Sequence, residues 1–323
     1  MKYDEDMIHS GIATFVASDY VTIDECKNYE VSVIGLPVEM GLTYRGGADE
    51  APRKIRECSM WKKIDGMECY DYDNRKYVKT NDLKICDLGD MNIWHGDMEK
   101  TQQAIIETIS KVREGSFPVI LGGDHSITYG SLIGVKKGGN YKKIGLIQFD
   151  AHNDTEPDTP YFSRINHSNQ FTNLIKEGYV DGHDMLTIGV RGLCNRVWND
   201  FAEEQGITIM TANEFNSMSK EEISDFIYEK YKDFDAVYVT FDMDSLEVAY
   251  SEGVGTPKYN GINGMKALEV IRSLNRLNVV AFDLVELSPP HDPTGVTAFM
   301  AWEVLYNFLA VGFKKEDERE NKK

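Results

Sequence analysis

The segment Ile144-Gly145-Leu146-Ile147-Gln148-Phe149-Asp150-Ala151-His152-Asn153-Asp154 changes character halfway along. Its first half is an apolar run, the mark of a strand buried on both faces. Its second half turns polar at once. Asp150, His152 and Asp154 sit at i, i+2 and i+4. In extended backbone alternate side chains share a face, so these three can converge on one point. Two carboxylates and an imidazole suit a borderline or hard divalent cation. A strand-end turn is the plainer explanation, since Asp and Asn are common there too.

Outward from this segment, strand and helix patterns alternate. Buried-strand patterns cover 31–36, 83–90, 117–121, 185–190, 207–210, 236–241 and 279–285. Helical patterns begin at Pro52 and Ile127 and cover 98–113, 169–177, 196–205, 219–232, 264–276 and 295–312. Alternation of this kind predicts an α/β fold with three α/β/α layers around a mostly parallel central sheet. Without a Pro/Ser-rich linker or an internal repeat, the reading is one domain over residues 1–323. Residues 1–29 read as an N-terminal arm over the surface, 155–168 as a polar loop and 314–323 as a charged tail. The glycine-rich stretch 41–51 lacks the G-K-[ST] ending of a nucleotide-binding P-loop.

The chain has 323 residues, 41% hydrophobic and 27% charged, with a formal net charge of -18. That field repels polyanions, so neither nucleic acid nor an anionic membrane is an expected partner. Five scattered cysteines without a C-x-x-C pair read as reduced thiols in a cytoplasmic protein. The N-terminus is acidic and has no apolar h-region, and no apolar run is long enough to span a bilayer.

Ligands bind open parallel sheets at the carboxyl ends of the strands. Four strand ends here carry residues suited to a cation: His125 after 117–121, Asp150, His152 and Asp154 after 144–149, Asp242 and Asp244 after 236–241, and Glu286 after 279–285. So many carboxylates crowded together without a cation raise one another's pKa values. Two divalent ions about 3.5 Å apart, bridged by carboxylates, resolve that charge and activate water for hydrolysis. Oxygen and imidazole donors suit Mn²⁺ better than a thiolate metal.

These residues, as they stand in sequence, resemble the ureohydrolase family, which includes arginase, agmatinase and related guanidino-compound hydrolases. The matching stretches are Gly122-Gly123-Asp124-His125-Ser126, Asp150-Ala151-His152-Asn153-Asp154 and Thr240-Phe241-Asp242-Met243-Asp244, with Gly253-Val254-Gly255-Thr256-Pro257 and Val285-Glu286-Leu287-Ser288-Pro289-Pro290. The likeness runs from about Val31 to about Gly312. It implies two Mn²⁺ ions per subunit, one on His125 and Asp154, the other on His152 and Asp244, with Asp150 and Asp242 bridging. It implies that a bridging hydroxide, hydrogen-bonded by Asp154, attacks a guanidinium carbon to release urea and an amine. Glu286 is then expected to pair with the guanidinium and His167 to shuttle a proton to the leaving amine. A homo-oligomer, trimer or hexamer, is also implied.

Two departures from arginase bear on the substrate. Ile165 stands where the Ser-x-Asn-x-His loop of arginase has an Asn that holds the α-carboxylate, and Glu156 replaces a second Asn. Agmatinase-like features are the glycine-rich stretch from Gly41, Ile188-Gly189-Val190-Arg191-Gly192 and Ser288-Pro289-Pro290-His291-Asp292. The expected substrate is therefore a small cationic guanidino compound, agmatine first, whose free amine meets Glu156, Asp158 or Asp292. Ser168 and Glu247 depart from the agmatinase pattern, which has Gly and Asp there. The alternatives are guanidinobutyrate, guanidinopropionate, arginine or a formimino compound such as formiminoglutamate, or a non-catalytic metal-binding member of the family. A guanidino acid would call for a cation in the pocket, Arg164 or Arg45.

Overall fold

The structure, a computed structural model, describes residues 11–157 and 162–314. Eleven strands occur among them: β1 (Asp19–Tyr20), β2 (Val31–Leu36), β3 (Glu68–Asp71), β4 (Lys76–Lys79), β5 (Ile85–Asp90), β6 (Phe117–Gly122), β7 (Gly145–Phe149), β8 (Met185–Val190), β9 (Thr208–Thr211), β10 (Val237–Asp242) and β11 (Val279–Val285). The α-helices are α1 (Ala51–Ser59), α2 (Met98–Gly115), α3 (Ile127–Gly138), α4 (Gln170–Lys176), α5 (Arg196–Glu204), α6 (Ala212–Ser217), α7 (Lys220–Tyr231), α8 (Gly264–Arg272) and α9 (Val296–Asn307).

Nine strands form one sheet in the order β1-β5-β2-β6-β11-β10-β7-β8-β9. Every neighbouring pair in it is parallel. The central strands are buried along their whole length, which explains their near-continuous apolar sequences. Alternate residues feed two separate cores. Val31 and Val33, Ile147 and Phe149, and Val237, Val239 and Phe241 face α1, α7, α8 and α9. Ile34 and Leu36, Leu146, and Tyr238 face α2, α3 and α4. The result is the three-layer α/β/α arrangement that the alternation of patterns predicts.

Two regions differ from the sequence reading. Residues 12–29 are woven into the body instead of lying over it: Phe15 is fully buried against Trp302, and Asp19–Tyr20 adds an edge strand beside β5. Polar composition hid this, because two apolar side chains and backbone pairing suffice to dock a short segment. The antiparallel β3–β4 hairpin was also not expected, since its half-exposed tyrosines and lysines carry no clean alternation. The rest of the expected arm (residues 1–10) and nearly all of the expected tail lie outside the described residues. No helix among the described residues is long and apolar enough to cross a membrane.

A buried ion pair fastens the N-terminal segment, α1 and β5. Arg56 donates to Asp87 at 2.8 and 3.0 Å, to Asp90 at 2.6 Å and to the Gly89 carbonyl at 2.9 Å. The same Asp87 carboxylate accepts the Phe15 amide at 2.7 Å. Removing the cation leaves Asp87 charged and buried, so Arg56→Met should destabilise the fold by about 3–5 kcal/mol. Urea denaturation measures this; a loss below about 1 kcal/mol would mean that the pair does not fasten these elements.

Candidate metal centre and substrate cavity

The four strands expected to carry ligands, β6, β11, β10 and β7, are consecutive in the sheet. Their register aligns the ends: Phe241 lies beside Phe149 and Asp242 beside Val285. Parallel pairing thus stacks four polar strand ends in one row at the carboxyl edge. His125 follows β6 through Gly122-Gly123, where the chain turns hard against β2. A Cβ on Gly123 would lie 2.0 Å from the Val38 carbonyl oxygen, so glycine is required for that approach.

Six side chains converge there. His125 Nδ1 lies 3.2 Å from Asp150, 3.1 Å from Asp154 and 3.3 Å from Asp242. His152 Nδ1 lies 3.4 Å from Asp150 and 3.2 Å from Asp244. His125, Asp150 and Asp242 form one group with cation-ligand spacing and Asp150, His152 and Asp154 a second, so Asp150 belongs to both. His125 Nδ1 is buried and accepts or donates no hydrogen bond, although three carboxylates surround it. Donor atoms that point at a shared space and not at one another fit a cation between them, and oxygen-plus-imidazole donors fit a hard or borderline one.

The electrostatics agree. Burial raises the Asp154 carboxyl, and with Asp150 beside it the group reaches about 6. Burial, then Asp244 and Asp150, push Asp242 far above the usual carboxylate range. Burial disfavours charge on His125, yet Asp150, Asp154 and Asp242 together raise it well above its ordinary value. His152 is raised in the same way by Asp244 and Asp150. Crowded carboxylates of this kind are relieved by positive charge placed between them, which a bound cation would supply.

A second set of side chains orients the first. Gln148 donates to Asp150 at 2.6 Å, Gln170 to Asp154 at 2.6 Å and Thr256 to Asp244 at 3.1 Å. Thr240 Oγ1 lies 2.9 Å from His125 Nε2. Three of these partners were legible in principle. Gln148 and Thr240 interrupt buried apolar strands, and Gln170 is a fully buried polar residue of a helix. Asp154 and Glu286 both have left-handed backbone, φ 50° and φ 63°. Such strain in non-glycine residues recurs at functional sites and has no sequence signature.

Glu286 and His167 form a buried pair, with His167 Nδ1 3.0 Å from Glu286 Oε1. The same oxygen accepts the His125 amide at 2.8 Å, while Oε2 is buried without a hydrogen-bond partner. Burial opposes charge on His167, but Glu286 outweighs it and lifts the imidazole to about 9. On its other side, His167 Nε2 meets Thr43 Oγ1 at 2.8 Å and the Thr43 amide at 3.1 Å. That amide hydrogen opposes a second proton on Nε2. Thr43 belongs to the glycine-rich loop, which Arg45 and Gly47 anchor: Arg45 donates to the Val254 and Gly255 carbonyls, and Gly47 (φ 104°) donates to Glu39.

A cavity of about 420 Å³ opens over the cluster, lined by His152, Asp154, Asp242 and His167, and farther out by Glu156, Phe162, Trp198 and Lys258. Glu156 therefore lies where a substrate tail would, with one oxygen accepting the Ser168 hydroxyl at 2.5 Å. Asp292 is not gathered into this cavity. Its two oxygens accept the Thr297 and Ala298 amides at 3.1 and 2.8 Å, capping α9. Asp158 lies outside the described residues. Neither Arg164 nor Arg45 lines the cavity. Arg164 pairs with Glu99 and Glu177 on the surface, and Ile165 is fully buried in the second core. The cation in the wall is Lys258, which composition could not single out.

Ser168 and Glu247 now have local explanations. Ser168 joins Glu156 to Asn166, tying the two halves of the loop that carries His167. Glu247 accepts the Gly261 amide at 2.6 Å and so closes the loop after Asp244.

A family model described as the arginase family matches residues 29–310. The human mitochondrial guanidino acid hydrolase is 32% identical over 285 residues, which is 88% of this chain and 78% of that protein. The chicken mitochondrial agmatinase is 32% identical over 289 residues, 88% of this chain and 82% of that protein. Among solved structures, the proclavaminate amidino hydrolase of Streptomyces clavuligerus superposes with a TM-score of 0.81 at 30% identity, covering 94% of this chain and 97% of its own.

Gly123 tests the packing that delivers His125. Gly123→Ala should lower stability by about 1–3 kcal/mol through overpacking against β2, measured by chemical denaturation. An unchanged midpoint would mean that the close approach to Val38 carries no constraint.

Proposed function

The chain belongs to the arginase family, and we propose that it is a binuclear-manganese hydrolase that cleaves a guanidino compound to urea and an amine. The observation that carries this reading is the convergence of two imidazoles and four carboxylates, three of these carboxylates around the unpartnered Nδ1 of His125 and Asp150 and Asp244 beside Nδ1 of His152. His125, Asp150, Asp154 and Asp242 would hold one ion; His152, Asp150, Asp242 and Asp244 would hold the other. When bound, the pair would supply Lewis acidity and bring the pKa of a coordinated water toward neutrality.

The chain's own residues supply the rest. A carboxylate can bind a planar guanidinium through two parallel hydrogen bonds. Glu286 lies behind the cavity wall and is not itself among the lining residues, but its buried Oε2 has no hydrogen-bond partner and is available for one. Its other oxygen holds His167 by Nδ1, which aims Nε2 into the cavity beside Thr43. We assign to His167 the proton given to the departing amine, a transfer that requires Nε2 to leave the Thr43 amide from which it accepts a hydrogen bond here. Phe162 and Trp198 shield the chain of the substrate from water.

For the tail, Glu156 favours a second positive charge and hence agmatine. One observation favours a carboxylate instead. Lys258 lines the same wall and makes no ion pair with a described carboxylate; its ammonium donates to the Arg191 carbonyl at 3.2 Å. Urea release with agmatine, arginine, guanidinobutyrate and guanidinopropionate in parallel decides between them. Agmatine is expected to be preferred, and Glu156→Gln should raise its KM about tenfold or more with kcat little changed, as loss of a charge-assisted hydrogen bond predicts. Preference for a guanidino acid, abolished by Lys258→Met, would overturn the agmatine reading and leave the hydrolase intact. No urea from any of the four, with metal bound, would overturn the reading for these guanidino compounds and point to another C–N substrate or to a non-catalytic role.

Metal binding has its own measurement. Ions that bind only the folded state at about 100-fold over Kd add about 2.7 kcal/mol. Mn²⁺ should therefore raise the melting midpoint over that in a chelator, and Asp150→Asn should lose most of the rise. Equal midpoints in Mn²⁺ and chelator would count against the metal centre.

A further inference from the structure

Arg191 is buried, 8% exposed, and makes no ion pair with a carboxylate among the described residues. Its guanidinium donates instead to six backbone carbonyls. These are Asp244 at 2.7 Å, Ser245 at 3.0 Å, Leu246 at 3.3 Å, Gly189 at 3.2 Å, Lys258 at 2.6 Å and Tyr259 at 3.1 Å. They belong to the end of β8, the turn after β10 and the loop that carries Thr256 and Lys258. The Arg191 amide also donates to the Ala151 carbonyl at 3.2 Å, in the turn after β7.

Two of these segments, the turn after β7 and the loop that carries Thr256, bond the same ligand. Asp244 Oδ1 accepts the Ala151 amide at 3.1 Å, and Oδ2 accepts the Thr256 hydroxyl at 3.1 Å. The Asp244 carboxylate is thus aimed by two loops, and Arg191 is bonded to both and to the Asp244 backbone. Two ligands of the other half have separate partners, although Asp150 and Asp242 are common to both halves. Asp154 is held by Gln170 and His125 by Thr240, neither of which contacts Arg191 through a hydrogen bond. We propose that Arg191 is the positioning residue for the His152/Asp244 half of the metal centre alone. The inference rests on the binuclear reading above.

Arginine is needed for its planar fork. Five N–H donors in fixed directions reach carbonyls from separate segments at once, whereas a lysine ammonium is a compact point with three donors. Carbonyl partners also matter chemically. They fix the guanidinium without consuming a carboxylate that the ion needs.

The test uses the full chain, stripped of metal and titrated with Mn²⁺, as wild type, Arg191→Lys, Arg191→Met and Thr256→Val. Calorimetry, metal content and electron paramagnetic resonance read the two ions separately. Wild type should bind two. Arg191→Lys and Arg191→Met should bind the first with wild-type affinity and the second about 10–100-fold more weakly, the usual effect of losing a ligand's outer partner. Their spectra should change from a coupled pair to a single ion at limiting metal. Arg191→Lys carries the test should Arg191→Met fail to fold, and Thr256→Val, which removes a direct partner of Asp244 with Arg191 intact, should weaken the same ion. Unchanged affinity for both ions in Arg191→Lys and Arg191→Met overturns the inference. So does equal weakening of both, which marks a general scaffold role. A wild type that binds no ion overturns the metal reading itself, and the inference with it.

Discussion

Four carboxylates buried within a few ångströms of one another are the constraint on which this molecule turns. In a low-dielectric interior such a cluster is tolerable only with compensating positive charge. The fold gathers it nonetheless, because β6, β11, β10 and β7 are adjacent, parallel and in register. No ligand comes from mid-strand; His152 and Asp154 stand at the start of the long connection between β7 and α4. Placing ligands at the ends of paired strands favours the fixed separation that a site needs to hold ions.

The same geometry explains how much was legible. The spacing of Asp150, His152 and Asp154 points to a shared face and the three do converge, but β7 ends at Phe149 and Asp154 is left-handed, so a bent turn and not extended backbone brings them together. A parallel sheet supplies the edge on which the other strand ends join them. The partners of these ligands were harder to find. Gln148 and Thr240 are polar residues inside buried strands, facing the α2–α4 layer like Leu146 and Tyr238. They look like noise in an apolar run until the strand is known to run beneath a charged cluster. The left-handed backbone of Asp154 and Glu286 leaves no trace in residue type at all.

Legibility failed most clearly at the substrate tail, and the reason is physical. Asp292 closes the agmatinase-like stretch Ser288-Pro289-Pro290-His291-Asp292, which made it a candidate for meeting the substrate's amine. Its carboxylate instead satisfies the amides that begin α9, a local demand that every helix start makes. Lys258 reached the cavity wall through a loop fixed by long-range bonds to Arg191, which no local pattern encodes. Strand ends are predictable because the sheet imposes them; loop tips are set by whichever distant backbone they happen to satisfy.

Arg191 shows how these two levels meet. A cation beside a cation-binding site would normally compete with it, either by pairing with a ligand or by repelling the ion. Here the guanidinium is turned away from the carboxylates and toward carbonyls, so its fork does mechanical work while its charge still offsets the excess of negative charge around Asp244 and Asp150. Burial works against that charge, and the neighbouring acids sustain it. The acid cluster thus stabilises the residue that organises one half of it, and that residue in turn fixes the loop bearing Lys258. Metal geometry on one side and the tail of the substrate cavity on the other are thereby joined through a single side chain, which couples what this site can hold to what it can recognise.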